Sequence, residues 1–205
     1  MITLYTFGTP NGHKATILLE ELGLSYTVHK LDVPSGEHKT PAYLKVSPIG
    51  KFPALVETLE DGTSRRLFGS GAILLHYAER TGSLLPADPG ARAEGLGWFF
   101  LGISDLGPAA VDMFRFSVRA PEKLTYAIDL FRADLMRCYE ALERRLTEVE
   151  YLAGDYSIAD IACYPFIAAA ARSPGALLDR FPHLGRWHDR VGARPAVARG
   201  MSLPA

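Results

Sequence analysis

Two hydrophobic periods alternate through the first 81 residues of this chain, and only the helical one persists beyond Gly90. Apolar runs at Ile2 to Phe7, Tyr26 to Val33, Ala54 to Thr58 and Arg65 to Phe68 read as strands. The last two flank Asp61-Gly62, a hairpin signal. Helical spacing runs from Asn11 to Leu22, stopped by Gly23, and from Ser70 to Arg80, stopped by Gly82. Thr40-Pro41 supplies a cap and a first-turn proline for a short helix through Val46. The order βαβαββα calls for a sheet whose parallel strands are joined by a right-handed crossover.

From Leu84 to Gly90 proline and small residues replace this alternation, and no convincing strand follows. Ala91 to Asp105 begins a series of helices. Pro121 and Glu122 open a long one to about Glu148, with Ile128, Leu135, Leu142 and Leu146 as its apolar positions. Tyr156-Ser157-Ile158-Ala159-Asp160-Ile161 is a capping box in which Ser157 caps, Asp160 reaches back and Tyr156 can staple to Ile161. The expected architecture is an α/β domain of thioredoxin-like order over residues 1–83 and an all-α domain over residues 90–205.

The 22 basic and 23 acidic residues nearly cancel and form no long run, which argues against a nucleic-acid or anionic-membrane partner. No apolar run approaches the roughly 20 residues that span a bilayer, and the N-terminus lacks a signal-peptide layout, so a cytoplasmic location is expected. Cys138 and Cys163 have no motif spacing and lie in apolar helical stretches, as buried cysteines do. The six histidines are scattered, so no metal site is expected.

Thr9-Pro10-Asn11-Gly12-His13-Lys14 joins the first strand to the first helix. A helix N-terminus carries unpaired N–H groups and a positive dipole end, so it lowers the pKa of a thiol held there. The loop contains no cysteine, so the thiol must arrive with a small molecule, and glutathione is the obvious candidate. Lowering a thiol pKa from about 8.5 by roughly two units takes about 3 kcal/mol. One hydrogen bond to a charged acceptor gives about 1.5–3 kcal/mol and the dipole about 0.3–1 kcal/mol. The Thr9 hydroxyl, the Asn11 amide and the dipole therefore suffice without a metal or a general base. Thr9 also reads as a plain helix cap.

Three further motifs follow in order: Ser47-Pro48 with Lys51-Phe52-Pro53-Ala54-Leu55, Ser70-Gly71-Ala72-Ile73-Leu74-Leu75, and Ser157-Ile158-Ala159-Asp160-Ile161-Ala162-Cys163. With the Thr9 loop they resemble the cytosolic glutathione transferase superfamily over essentially the whole chain. The likeness is strongest to its bacterial Nu class, glutathione-dependent disulfide-bond oxidoreductases. The resemblance implies that Thr9 and Asn11 face the glutathione sulfur and that disulfide exchange runs through bound glutathione without enzyme cysteines. It also implies a cis Pro53, which frees the Phe52 backbone to pair with the cysteinyl part of glutathione. The resemblance also places Lys51 and His38 toward the glycine carboxylate and Ser70 toward the γ-glutamyl carboxylate. Lys51 and His38 read as readily as solvated surface residues, and Ser70 as a helix N-cap.

The chain departs from the family at Gly69, where an acidic residue usually pairs with the γ-glutamyl ammonium. Losing that contact weakens glutathione binding by about one to two orders of magnitude. Asp105, on a helix near the family's dimer interface, is a candidate to supply the charge from the partner subunit of a homodimer. Two other readings share the site: conjugation of glutathione to a small electrophile, and a binding protein without catalysis. Tyr5 is expected to pack in the core, as are Trp98, Phe99, Phe100, Phe114 and Phe116. Arg115, Arg119 and Arg132 are expected on solvated faces.

Overall fold

The computed structural model describes residues 1–172 and 177–204. Residues 173–176 and 205, within the range expected to form the helical domain, lie outside the described residues. In chain order the elements are β1 (Ile2–Thr6), α1 (Pro10–Glu21), β2 (Tyr26–Lys30), α2 (Pro41–Leu44), β3 (Ala54–Thr58), β4 (Ser64–Phe68) and α3 (Ser70–Thr81). Among the described residues the α-helices that follow are α4 (Pro89–Phe100), α5 (Gly107–Phe114), α6 (Thr125–Arg145), α7 (Ile158–Ala171), α8 (Pro182–Gly192) and α9 (Pro195–Met201).

Two compact units form: one runs from Met1 to Ser83 and includes the chain from Ala193 onward, the other runs from Leu84 to Gly192. In the first unit β1 pairs parallel with β2 and antiparallel with β3, and β3 pairs antiparallel with β4, giving the order β2-β1-β3-β4. Tyr5 stands opposite Ala54, and Ala54 opposite Phe68. The end of β1, the start of β3 and the end of β4 therefore share one edge of the sheet. Alternation along β1 sends Ile2, Leu4 and Thr6 inward, where Leu4, Leu18, Leu55, Ile73 and Leu74 are fully buried. On the other face Tyr5 packs with Phe52 against Leu31, Tyr43 and Ala54.

Residues beyond Ala193, expected in the helical domain, belong with the first unit because α9 docks on α1. A Cβ on Gly200 would lie 2.6 Å from both the Ile17 backbone nitrogen and its Cα, so only glycine permits this approach. The Thr16 hydroxyl donates to the Gly200 carbonyl at 2.7 Å, Arg194 grips Glu21 through two bonds of 2.7 and 2.9 Å, and Arg199 meets Glu20 at 2.6 Å. Gly200→Ala is expected to lower the unfolding free energy by about 1–3 kcal/mol, read by denaturant titration, because backbone atoms must move to admit the methyl group.

The second unit departs from the sequence expectation at two places. The helix expected over Ala91 to Asp105 starts earlier, where the Asp88 carboxylate caps Ala91 N at 2.8 Å. It then continues through a π turn at Leu101–Leu106, α5, and a second π turn at Arg115–Arg119. Each π turn inserts residues and rotates the apolar face. Phe99 is buried, but Phe100 and Phe114 are each 49% exposed, contrary to the core placement expected of them. The long helix begins at Thr125, not at Pro121; Leu124, at φ −91° and ψ 90°, is the last non-helical residue before it. Both bonds of the Ser157 capping box are present.

Candidate functional site

The sheet edge shared by β1, β3 and β4 carries three short turns, and most of the residues singled out above stand on them. The first opens α1. Thr9 is its N-cap, extended at φ −132° and ψ 159°, with Pro10 in the first helical position. The Thr9 hydroxyl accepts from Gly12 N at 3.3 Å, so it does cap the helix, while its own proton reaches the Phe7 carbonyl only at 3.4 Å. That proton is weakly held and can turn outward to an anion. Asn11 stands one residue into the first turn, where its N–H has no intrahelical acceptor. Gly12 is the residue the motif reading passed over: a Cβ there would lie 2.2 Å from the Phe7 carbonyl oxygen and 2.6 Å from the Thr6 hydroxyl.

The second turn precedes β3. The Phe52–Pro53 bond is cis. Lys51 is exposed, and its carbonyl is fixed by the Tyr43 hydroxyl at 2.9 Å and the Ser47 hydroxyl at 2.7 Å. Burial pushes the Tyr43 phenol up to about 12, so it remains a donor at neutral pH. A Cβ on Gly50 would meet the His38 carbonyl at 2.7 Å, and the His38 ring stands edge-on to Phe52 at 6.3 Å. His38 is thereby held beside Phe52, and its Nδ1 is buried without a hydrogen-bond partner. Phe52 in turn meets Phe7 edge-on at 5.9 Å, joining this turn to the first.

The third turn opens α3. Gly69, not Ser70, is the N-cap; Ser70 is the first helical residue and is buried. The shift follows from the backbone. Gly69 N–H donates to the Pro53 carbonyl at 3.1 Å, its own carbonyl accepts from Ile73 N at 3.2 Å, and it adopts φ +83°, a conformation that favours glycine. The first turns of α1 and α3 contain no acidic residue, so two positive helix ends open at this edge without an acid of their own.

The edge therefore offers a turnable hydroxyl, free first-turn amides and two helix dipoles, a donor set suited to a thiolate and a carboxylate. The matching family models are the glutathione S-transferase N-terminal domain over residues 1–79 and the C-terminal domain over residues 108–195. The chain belongs to the glutathione S-transferase family. Among its relatives, the disulfide-bond oxidoreductase YfcG of Escherichia coli is 40% identical over 98% of this chain and 94% of its own length. YghU of the same organism, also a disulfide-bond oxidoreductase, is 35% identical over 97% of this chain and 73% of its own. A Pseudomonas putida glutathione transferase with one glutathione disulfide bound per subunit superposes with a TM-score of 0.93 at 32% identity, covering 100% of this chain and 92% of that one.

Asp105 lies in the second unit, exposed on the first π turn, where its charge helps raise the Cys138 pKa. Arg115 and Arg132 pair with Asp112 and Asp129, and Arg119 stands over the Phe114 ring at 5.2 Å. Among the described residues no cluster of His, Cys, Asp and Glu could hold a metal ion, and no helix is long and apolar enough to cross a membrane.

Proposed function

We propose that this protein is a glutathione-dependent disulfide-bond oxidoreductase that contributes no sulfur of its own. The observation that carries this reading is the state of its two cysteines. Both are buried, and burial together with the Asp105 and Asp134 carboxylates pushes the Cys138 thiol up to about 11. A thiol so placed is neither ionised nor accessible. The names of YfcG and YghU and the glutathione disulfide bound to the Pseudomonas putida protein support the same reaction class.

Glutathione supplies the reacting thiols: two are oxidised to one glutathione disulfide while the substrate S–S bond breaks and its halves leave as two thiols. The chain's part is to ionise and place them. The Thr9 hydroxyl turns from Phe7 to the sulfur, the Asn11 amide and the α1 dipole add to it, and the Phe52 backbone pairs with the cysteinyl part of the tripeptide. Ser70 and the first turn of α3 receive the γ-glutamyl carboxylate; His38 and Lys51 take the glycine end. The site needs a steady supply of reduced glutathione, which fits a cytoplasmic location. Val111, Phe114 and Val118 leave apolar surface exposed along α5 and the π turn after it, which favours a homodimer.

The test compares two substrates with glutathione present: a small mixed disulfide and an aryl halide. Turnover of the disulfide with little or none of the halide is expected; the reverse would assign conjugation. Absence of both activities, with no thermal shift in millimolar glutathione, would leave a binding protein.

A further inference from the structure

Among the described residues, neither Gly69 nor the first turns of α1 and α3 offer a carboxylate to a γ-glutamyl amine. Gly69 is exposed and has no side chain to meet an amine; its N–H donates to the Pro53 carbonyl and its carbonyl accepts from Ile73 N–H. A Cβ built on it meets no atom within 4 Å, so a group at this position has room. The α3 N-terminus has no side-chain cap and no acidic residue in its first turn, and α1 beside it has none either.

These facts act differently on the two charged groups of a γ-glutamyl residue. The carboxylate is drawn to the first-turn N–H groups and the positive end of α3. The ammonium on the same carbon finds the same positive end and no carboxylate, so it stays solvated and is mildly repelled. Acylating the amine removes the charge that the helix end opposes. The added group is neutral and has the open side of Gly69 to occupy.

We infer that this protein does not read the γ-glutamyl amine and accepts γ-glutamyl thiols and disulfides whose amine is acylated, with residue 69 as the determinant. The inference rests on the glutathione reading above and deepens it by naming a substrate class.

The experiment measures equilibrium binding of glutathione and of glutathione acetylated on its γ-glutamyl amine, by calorimetry, to the wild-type protein and to Gly69→Glu and Gly69→Gln. Wild type should bind the two within about threefold of each other. Gly69→Glu should prefer the free amine by about tenfold or more, the effect of one charge-assisted contact. Gly69→Gln carries the same backbone strain without the charge and should show no such preference.

A wild-type preference of tenfold for the free amine overturns the inference. If Asp105→Ala then abolishes that preference, the second copy's carboxylate is the reader. A folded Gly69→Glu protein without preference removes residue 69 as the determinant. Failure of the wild type to bind either compound defeats the glutathione reading itself, a result distinct from a wild-type preference.

Discussion

Asp160→Ala is expected to remove about 3–5 kcal/mol of unfolding free energy and to lower the melting temperature by about 10 °C or more. The Asp160 carboxylate is fully buried and collects Trp187 Nε1 at 2.7 Å, Leu152 N at 3.1 Å, Ser157 N at 2.9 Å and the Ser157 hydroxyl at 3.4 Å. It closes the α7 capping box and also ties α7 to α8 through a fully buried tryptophan. Alanine strands two backbone N–H groups and the indole N–H in the interior, at about 1–3 kcal/mol each before relaxation.

The loss should depend on pH. Burial raises the Asp160 pKa to about 6, against the lowering pull of its hydrogen bonds. Between roughly pH 4 and 6 the folded protein therefore holds a proton that the unfolded chain has released, so acidification stabilises the fold through this group. The stability gap between wild type and Asp160→Ala should widen as pH falls from 7 to 5. Denaturant titrations at the two pH values measure it.

Thr9→Val is expected to lower kcat/KM for glutathione-dependent disulfide reduction by about 10–100-fold, the effect of losing one hydrogen bond to a charged acceptor. It should also move the acidic limb of the pH–rate profile upward by about 1–2 units, because less of the bound thiol is ionised at a given pH. The profile separates the two roles of this residue. A Thr9 that only capped α1 through Gly12 would lose about 1 kcal/mol of stability on substitution and leave the acidic limb in place. Thr9→Ser retains the hydroxyl and should keep both the limb and most of the rate.

Asp160 and Thr9 also mark what was legible in the sequence. Ser157 and Asp160 stand three apart before an apolar run, and Thr9 precedes a proline at a strand-to-helix joint. Both are local patterns, and local hydrogen bonding realises both. The Trp187 partner of Asp160 lies 27 residues on and had no signature. The docking of α9 on α1 was hidden for the same reason, since Gly200 and Ile17 meet across more than 180 residues and helical periodicity names no partner. Phe100 directly follows the buried Phe99 on α4 and so points away from the core, while Phe114 lies beyond the first π turn, which breaks the 3.6-residue period; both stand half-exposed.

At the site, the motifs placed Thr9, Asn11, Phe52, Pro53, Gly69 and Ser70 at turns that the strand register gathers on one sheet edge. The supports of those turns were not visible. Gly12 against Phe7, Gly50 against His38, and the Tyr43 and Ser47 hydroxyls on the Lys51 carbonyl are close approaches that only the folded chain creates. Ser70 looked like a cap because serine favours that position. The Pro53 carbonyl, by holding Gly69 N–H, moved the cap one residue earlier.

The thiols of the proposed reaction belong to glutathione. The most direct measurement is the glutathione-dependent reduction of a small disulfide by a Cys138→Ala/Cys163→Ala protein shown by its unfolding transition to be folded. A kcat/KM within about twofold of wild type is expected, since neither buried cysteine takes part. A loss of tenfold or more in the folded variant would contradict it and place the sulfur chemistry on the chain itself.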